Sequence, residues 1–198
     1  MRKSLILFAL LIIAAGVGAQ THTYQGLPWG STPDQVIAKL GRPTSRENIT
    51  PEDDYTKSLG YSEVLVYENV RLSGYKTDLI ISFGRGMGEV FYNITEKDLN
   101  ILQKIVVFND LMRLLIKRYG DPARARIPRS PEVMTDRKYL EEGLYYAIWH
   151  FPNFHIFIDL DPYLFSIGYY TDAGWNLFYP MMIEDYPGIF EEEREFGL

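Results

Sequence analysis

Apolar residues recur along this chain with two different periods, and these periods predict helices alternating with strands. Val36, Ile37 and Leu40 are spaced by about one helical turn, which predicts a short amphipathic helix over residues 33–40. The segments that follow alternate between apolar and polar residues, as half-buried strands do. They predict strands at residues 63–70, 76–83 and 89–95, joined by glycine-containing turns.

The first helix is bounded by residues that start and stop helices. Ser31 or Thr32 can accept hydrogen bonds from its first backbone N–H groups, and Pro33 suits its first turn. Gly41, followed by Pro43, ends it. Capping, packing and termination therefore account for the whole stretch WGSTPDQVIAKLGRP without a ligand.

The second half of the chain repeats this order of elements. A longer helix is predicted over about residues 97–119, followed by a connection over residues 121–142. Three strands are then predicted at residues 144–151, 154–160 and 163–171. Both halves are α-β-β-β, so the sequence predicts an α+β fold with helices packed on one face of an antiparallel sheet.

Similar short motifs indicate that the two halves are copies of one unit. KLGRPTS at residues 39–45 corresponds to RYGDPAR at residues 118–124, and similarity at a fixed offset is typical of duplication. We therefore predict one compact domain with three parts after a leader. These parts are a first repeat at residues 20–96, a second repeat at residues 97–171 and a C-terminal extension at residues 172–198.

The leader has the three-part order of a secretory signal peptide. Arg2 and Lys3 precede an apolar run, and small residues at positions 16–19 precede Gln20. The run is shorter than the ~20 residues that span a bilayer, which favours cleavage over an uncleaved anchor. The sequence has no cysteine, and so no site for a thioether-linked lipid. We expect a signal peptide over residues 1–19 and an exported protein, periplasmic or secreted, with neither a membrane span nor a lipid anchor.

Charge and composition narrow the classes of function. Lys and Arg number 20 against 26 Asp and Glu, a net charge of −6. Loss of Arg2 and Lys3 with the leader leaves 18 basic residues against 26 acidic ones, or −8. This balance disfavours a nucleic-acid partner, which needs a basic surface. The chain also lacks a thiol nucleophile and a Gly-x-Ser-x-Gly motif, and we expect no cofactor.

The helix motif and its second copy also carry a resemblance to known proteins. The residues concerned are Trp29, Gly30, Gln35, Val36, Leu40, Gly41 and Pro43, with Tyr119, Gly120 and Pro122 in the second copy. The motif resembles the small envelope domains of the outer-membrane barrel-assembly lipoprotein group, and its duplicated form resembles the tandem-repeat fold of the β-lactamase inhibitor proteins. Such domains are known chiefly as non-enzymatic protein-binding modules, so the resemblance implies protein binding. The chain departs from the lipoprotein pattern because it lacks a lipidation cysteine.

A hairpin tip at Pro152-Asn153 would fix which residues share a face of the last three strands. One face is then apolar and should lie under the helices. The other face has His150 opposite His155, Ile148 opposite Phe157 and Tyr146 opposite Asp159, with Leu164, Ser166, Gly168 and Tyr170 on the third strand. That second face is too apolar to be exposed to water. Either the C-terminal segment, residues 175–190, covers it, or a partner protein or a second copy binds there.

Two groups of residues are therefore candidates for contact with a partner. The connection over residues 121–142 is rich in arginine, and we call it the basic connection. It could bind an acidic partner or a polyanionic envelope polymer, or it could be a solvated linker. The candidates are Tyr146, Ile148, Phe157, Leu164 and Tyr170 from the second face, and Arg124, Arg126 and Arg129 from the connection.

His150 and His155 are the candidates for metal chemistry, since neighbouring imidazoles on paired strands can share a metal ion. Asp159 is about 13 Å further along its strand, too far to be a third ligand. The plain alternative is a hairpin tip with partly exposed histidines. The sequence thus favours an exported, non-enzymatic protein-binding or envelope-assembly module. The alternative is a small secreted hydrolase or metal-dependent enzyme that uses the two histidines.

Overall fold

A computed structural model describes residues 24–96, 99–127, 144–161 and 164–186, and within these ranges the chain forms one eight-stranded antiparallel sheet with four helices. The predicted α+β class is confirmed. The helices are α1 (Pro33–Leu40), α2 (Asp54–Leu59), α3 (Ile101–Tyr119) and α4 (Asp172–Asp185). The strands are β1 (Ser45–Asn48), β2 (Glu63–Leu72), β3 (Tyr75–Phe83), β4 (Met87–Ile94), β5 (Arg124–Arg126), β6 (Tyr145–His150), β7 (Phe154–Leu160) and β8 (Phe165–Thr171). The predicted leader lies outside the described residues.

The strand order is β1-β2-β3-β4-β8-β7-β6-β5, with every neighbouring pair antiparallel. Each half contributes a short edge strand and a three-stranded meander, and the β4–β8 pair joins the halves. The edge strands β1 and β5 were not predicted. They are short and polar, so they carry no alternating apolar pattern.

Helix α1 has the bounds that the sequence predicts. Thr32 caps it by accepting a hydrogen bond from the Gln35 N–H at 3.3 Å, and the Gln35 side chain accepts one from the Thr32 N–H at 2.8 Å. This reciprocal pair is a capping box. Gly41 ends the helix with φ at +93°, a conformation that favours glycine.

Helix α3 uses the same devices. Asn100 and Gln103 form its capping box, so the helix begins at residue 101 and not near 97. Gly120, with φ at +83°, ends it. Sheet side chains bind both terminal glycines, since the Tyr67 hydroxyl donates to the Gly41 carbonyl and the Trp149 indole to the Gly120 carbonyl. These bonds join each helix end to the sheet.

One sheet face, here called the first face, packs under α1 and α3. Val36 of α1 and Phe108 of α3 are fully buried on it. Full burial of one such side chain contributes about 1.5–3 kcal/mol. The row Leu65–Ile81–Val90 shows how successive strands supply the core.

The opposite face, here called the second face, packs under α4 across β6, β7 and β8, and α2 lies against α4. The repeat helices α1 and α3 thus share one face, as predicted, while the C-terminal extension supplies a helix to the other. The observed pairs His150–His155, Ile148–Phe157 and Tyr146–Asp159 confirm the predicted register. Among the helices described, none combines the length and apolarity needed to cross a bilayer.

Candidate functional site

Helix α4 covers the aromatic half of the second face. Tyr146, Ile148, Phe157 and Tyr170 are at most 2% exposed beneath it. The partner contacts predicted for these four side chains are therefore corrected, because α4 occupies their surface. Of the two covers left open by the sequence, the structure shows the C-terminal segment.

Gly168 makes this packing possible. It lies between Phe91 and Phe157 in one row across the sheet. A Cβ atom at Gly168 would collide with the Tyr170 ring, which lies across it. The ring in turn stacks on Phe178 of α4, with centroids 4.6 Å apart and planes 14° apart. The glycine therefore lets an aromatic side chain cover the backbone of β8.

The remaining predicted partner residues lie at the margins of α4. Leu164 is half-buried in the β7–β8 turn, where its N–H donates to Asp161 Oδ1 at 2.5 Å. Arg124 is exposed and donates to the Tyr179 hydroxyl at 2.6 Å, which ties β5 to α4. Arg126 pairs with Tyr146 on the sheet edge. Residues 128–142 of the basic connection, which include Arg129, lie outside the described residues.

The predicted histidine pair stands at the N-terminal end of α4. His150 Nδ1 is 2.7 Å from His155 Nδ1, and His155 Nε2 is 3.0 Å from Asp172 Oδ1. A carboxylate accepts here, so His155 donates from Nε2 and its Nδ1 accepts the His150 N–H. Trp175 stacks on His155, with centroids 5.0 Å apart. The three polar groups thus form one hydrogen-bonded chain from His150 to Asp172.

Burial lowers the pKa of both imidazoles. For His155 this lowering is larger than the rise in pKa that Asp172 causes. Both rings are therefore mainly neutral at pH 7, and His155 must be neutral to accept at Nδ1 while it donates from Nε2. In the part of the chain that the structure describes, no set of three or more His, Asp and Glu residues converges so as to hold a metal ion. Asp172 orients the His155 ring from its Nε2 side, away from the Nδ1 that faces His150.

Two carboxyl groups on the second face have unusual environments that sequence reasoning missed. Asp159 is 5% exposed and accepts a hydrogen bond from the Ser166 hydroxyl. Burial raises its pKa to about 7. Burial likewise raises the pKa of Glu89 to about 7, although the Tyr55 hydroxyl lies 3.4 Å away. The alternating pattern placed Asp159 on this face, but the covering helix was needed to show its burial.

The same face continues into the first repeat without the cover of α4. The row that runs through Phe157 and Gly168 extends through Phe91 and Ile80 to Val66, with Val64 on the same strand. These side chains are half-buried, and they belong to neither of the two buried clusters among the described residues. We call this strip the open half-face; its residues are Val64, Val66, Ile80 and Phe91.

Polar residues border the open half-face. Ser82 and Glu89 lie in the row on one side, and Asp78 and Asn93 lie in the row on the other. An apolar centre with a polar rim is the usual composition of a protein–protein contact. Apolar runs at residues 64–67 in β2 and 79–81 in β3 place apolar side chains on both faces of the sheet, but such a run does not show which face stays uncovered.

The chain matches no family model, no curated protein and no solved structure. Function is therefore argued from the surfaces themselves.

Proposed function

We propose that this protein is an exported, non-enzymatic protein-binding module of the cell envelope, and that its partner docks on the open half-face. The observation that carries the proposal is the partly exposed apolar strip Val64, Val66, Ile80 and Phe91. The leader pattern in residues 1–19 and the resemblance to small envelope domains support the location. The same resemblance supports protein binding as the class of function.

The physical argument is that apolar side chains of this strip face water. A sheet surface that faces water is normally polar at alternate positions. Here one row presents three apolar side chains in succession, Val66, Ile80 and Phe91. Beyond Gly168 the same row is covered by aromatic residues of α4. A partner that offers aliphatic or aromatic side chains would extend this cover over the strip.

Site-specific photo-crosslinking tests the proposal. A photoreactive amino acid replaces Ile80 on the open half-face or, as the matched control, Val106 on α3. Val106 is 56% exposed and belongs to the helix that packs on the first face. We expect discrete crosslinked products from position 80 in intact cells and none from position 106. Mass spectrometry identifies the products, and a product of twice the mass indicates self-association.

The N-terminal mass of the recovered protein tests export, with cleavage before Gln20 as the expected result.

An added Val66→Asp substitution should abolish crosslinking from position 80, because a carboxylate would be desolvated at the contact. Circular dichroism checks that the variant is folded. Products that are equal from positions 80 and 106, or that persist in the folded variant, would contradict docking on this face.

A further inference from the structure

A cavity of about 80 Å³ lies on the first face of the sheet, where the loop before α1 meets the end of α3. Its lining includes Tyr24, Gln25, Trp29, Tyr92, Arg118 and Tyr169. Strands β2, β4, β7 and β8 and helix α3 converge here with the loop, so the side chains are held from several directions. The cavity is independent of the open half-face, which lies on the other side of the sheet.

The floor of the cavity is a hydrogen-bonded group. The hydroxyls of Tyr24 and Tyr92 are hydrogen-bonded to each other, and Gln25 Nε2 donates to them at 3.1 and 3.0 Å. Gln25 has φ at +49°, a left-handed conformation that costs free energy outside glycine. The strained loop therefore holds the amide over the two phenols.

Within the described lining of the cavity, one residue, Trp29, has a hydrogen-bond donor without a partner. Trp29 Nε1 is buried and has no hydrogen-bond partner among the described residues, which is a costly arrangement for an N–H group. Burial raises the pKa of Tyr92 and of Tyr169, so both phenols stay protonated. Among the described residues, the lining contains no Asp or Glu side chain. A ligand that accepts hydrogen bonds would therefore satisfy the site.

Arg118 adds a positive charge at the mouth of the cavity. Its guanidinium lies 5.3 Å from the centre of the Tyr119 ring, a cation–π contact that limits its freedom. Arg118 is exposed, and no Asp or Glu of the described residues forms an ion pair with it. The charge is thus available to an anion bound beside Trp29.

The volume limits the ligand to a few atoms. A water molecule occupies about 30 Å³ of liquid, so the cavity holds two or three waters or a carboxylate with one or two carbons. We infer that this cavity is a binding site for a small carboxylate, which faces Arg118, rests its apolar carbons on the tyrosine rings and accepts from Trp29 Nε1 once the indole turns to bring that buried N–H to the cavity surface. The carboxylate belongs either to a free short-chain acid or to the C-terminus of a peptide.

NMR of the indole N–H groups tests this site directly. The protein has three tryptophans, and Trp29→Phe assigns the relevant signal. We expect sodium acetate to move the Trp29 signal to saturation in the millimolar range, because so few atoms make contact. Acetamide, and sodium chloride at equal ionic strength, should leave it in place. A tripeptide with a free C-terminus identifies the peptide source if it binds more tightly than acetate while its C-terminal amide does not bind.

Arg118→Gln should weaken acetate binding at least about tenfold, since it removes the only charge facing the carboxylate within the described lining. Arg113→Gln is the matched control, because Arg113 is on the same helix but pairs with Asp110 outside the cavity. The inference is overturned if neither acetate nor the free-acid peptide moves the Trp29 signal, if acetamide moves it equally, or if Arg118→Gln binds as wild type does. None of these results bears on the open half-face.

Discussion

Phe91 and Phe157 are both phenylalanines, and they lie in one row of the sheet on either side of Gly168. Their environments nevertheless differ. Phe157 is 2% exposed and contacts Trp175 and Phe178 of α4, with ring centroids 6.3 and 5.6 Å away. Phe91 is only partly buried on the open half-face. The sheet itself is therefore not what buries an aromatic residue on this face.

The difference follows from where the chain goes after each meander. After β4 the chain enters α3, which packs on the first face. After β8 it enters α4, which packs on the second face. Among the described elements, each repeat thus has a helix over the first face, and only the second repeat is followed by a helix over the other. The open half-face is the consequence of that asymmetry.

If α4 causes the difference, alanine substitutions of the two phenylalanines should have unequal effects on stability. We expect Phe157→Ala to lower the free energy of unfolding by about 3–5 kcal/mol, since it leaves a cavity under α4. Phe91→Ala should lower it by about 1 kcal/mol, because water already reaches that ring. Urea unfolding followed by circular dichroism measures both. Equal losses would show that the open half-face is covered in solution.

A second expected effect concerns the carboxyl group of Asp159 under α4. Burial raises its pKa from 3.8 to about 7, so the folded protein retains a proton that the unfolded chain releases above about pH 4. The free energy of unfolding should therefore fall as the pH rises from about 4 to about 7, by up to about 4 kcal/mol from this group. Above pH 7 this contribution is constant.

Asp159→Asn removes the titrating group and should flatten that part of the stability profile. Glu89, whose pKa burial also raises to about 7, remains in the variant and preserves some of the slope. Urea unfolding at a series of pH values measures the two profiles. Parallel profiles would mean that water reaches Asp159, and the cover by α4 would then be incomplete.

Sequence patterns predicted the local parts of this fold well. The hairpin tip at Pro152-Asn153 fixes a period of two along β6 and β7, so the pairing of His150 with His155 followed from counting. The bounds of α1 followed from Thr32 and Gly41, because caps act within one turn. Each of these features depends on residues close together in the chain.

Features that depend on distant segments were not predictable in the same way. The aromatic residues on the second face of β6–β8 predicted that this face is covered. They did not show whether the cover is the chain's own α4 or a partner. Gly168 looked like an ordinary strand residue until Tyr170 was seen to lie across it. The open half-face is defined by a helix that packs elsewhere, and the cavity beside Trp29 by contacts between the loop, β4, β8 and α3.

The smallest expected effect lies at the edge of the cover, at His155. Burial lowers its pKa below 6.5, and Asp172 partly offsets that shift. A histidine with a lowered pKa contributes stability that is present above pH 6.5 and is lost as the pH falls, the opposite sign to Asp159. Asp172→Asn removes the offset, so the His155 midpoint should move to a still lower pH in an NMR titration of its ring protons. The His150 midpoint should not fall with it, because Asp172 is not among the causes of the His150 shift, whereas the charge on His155 is. A midpoint that stays at 6.5 in both proteins would place His155 in water, and Trp175 would then not cover this end of the second face.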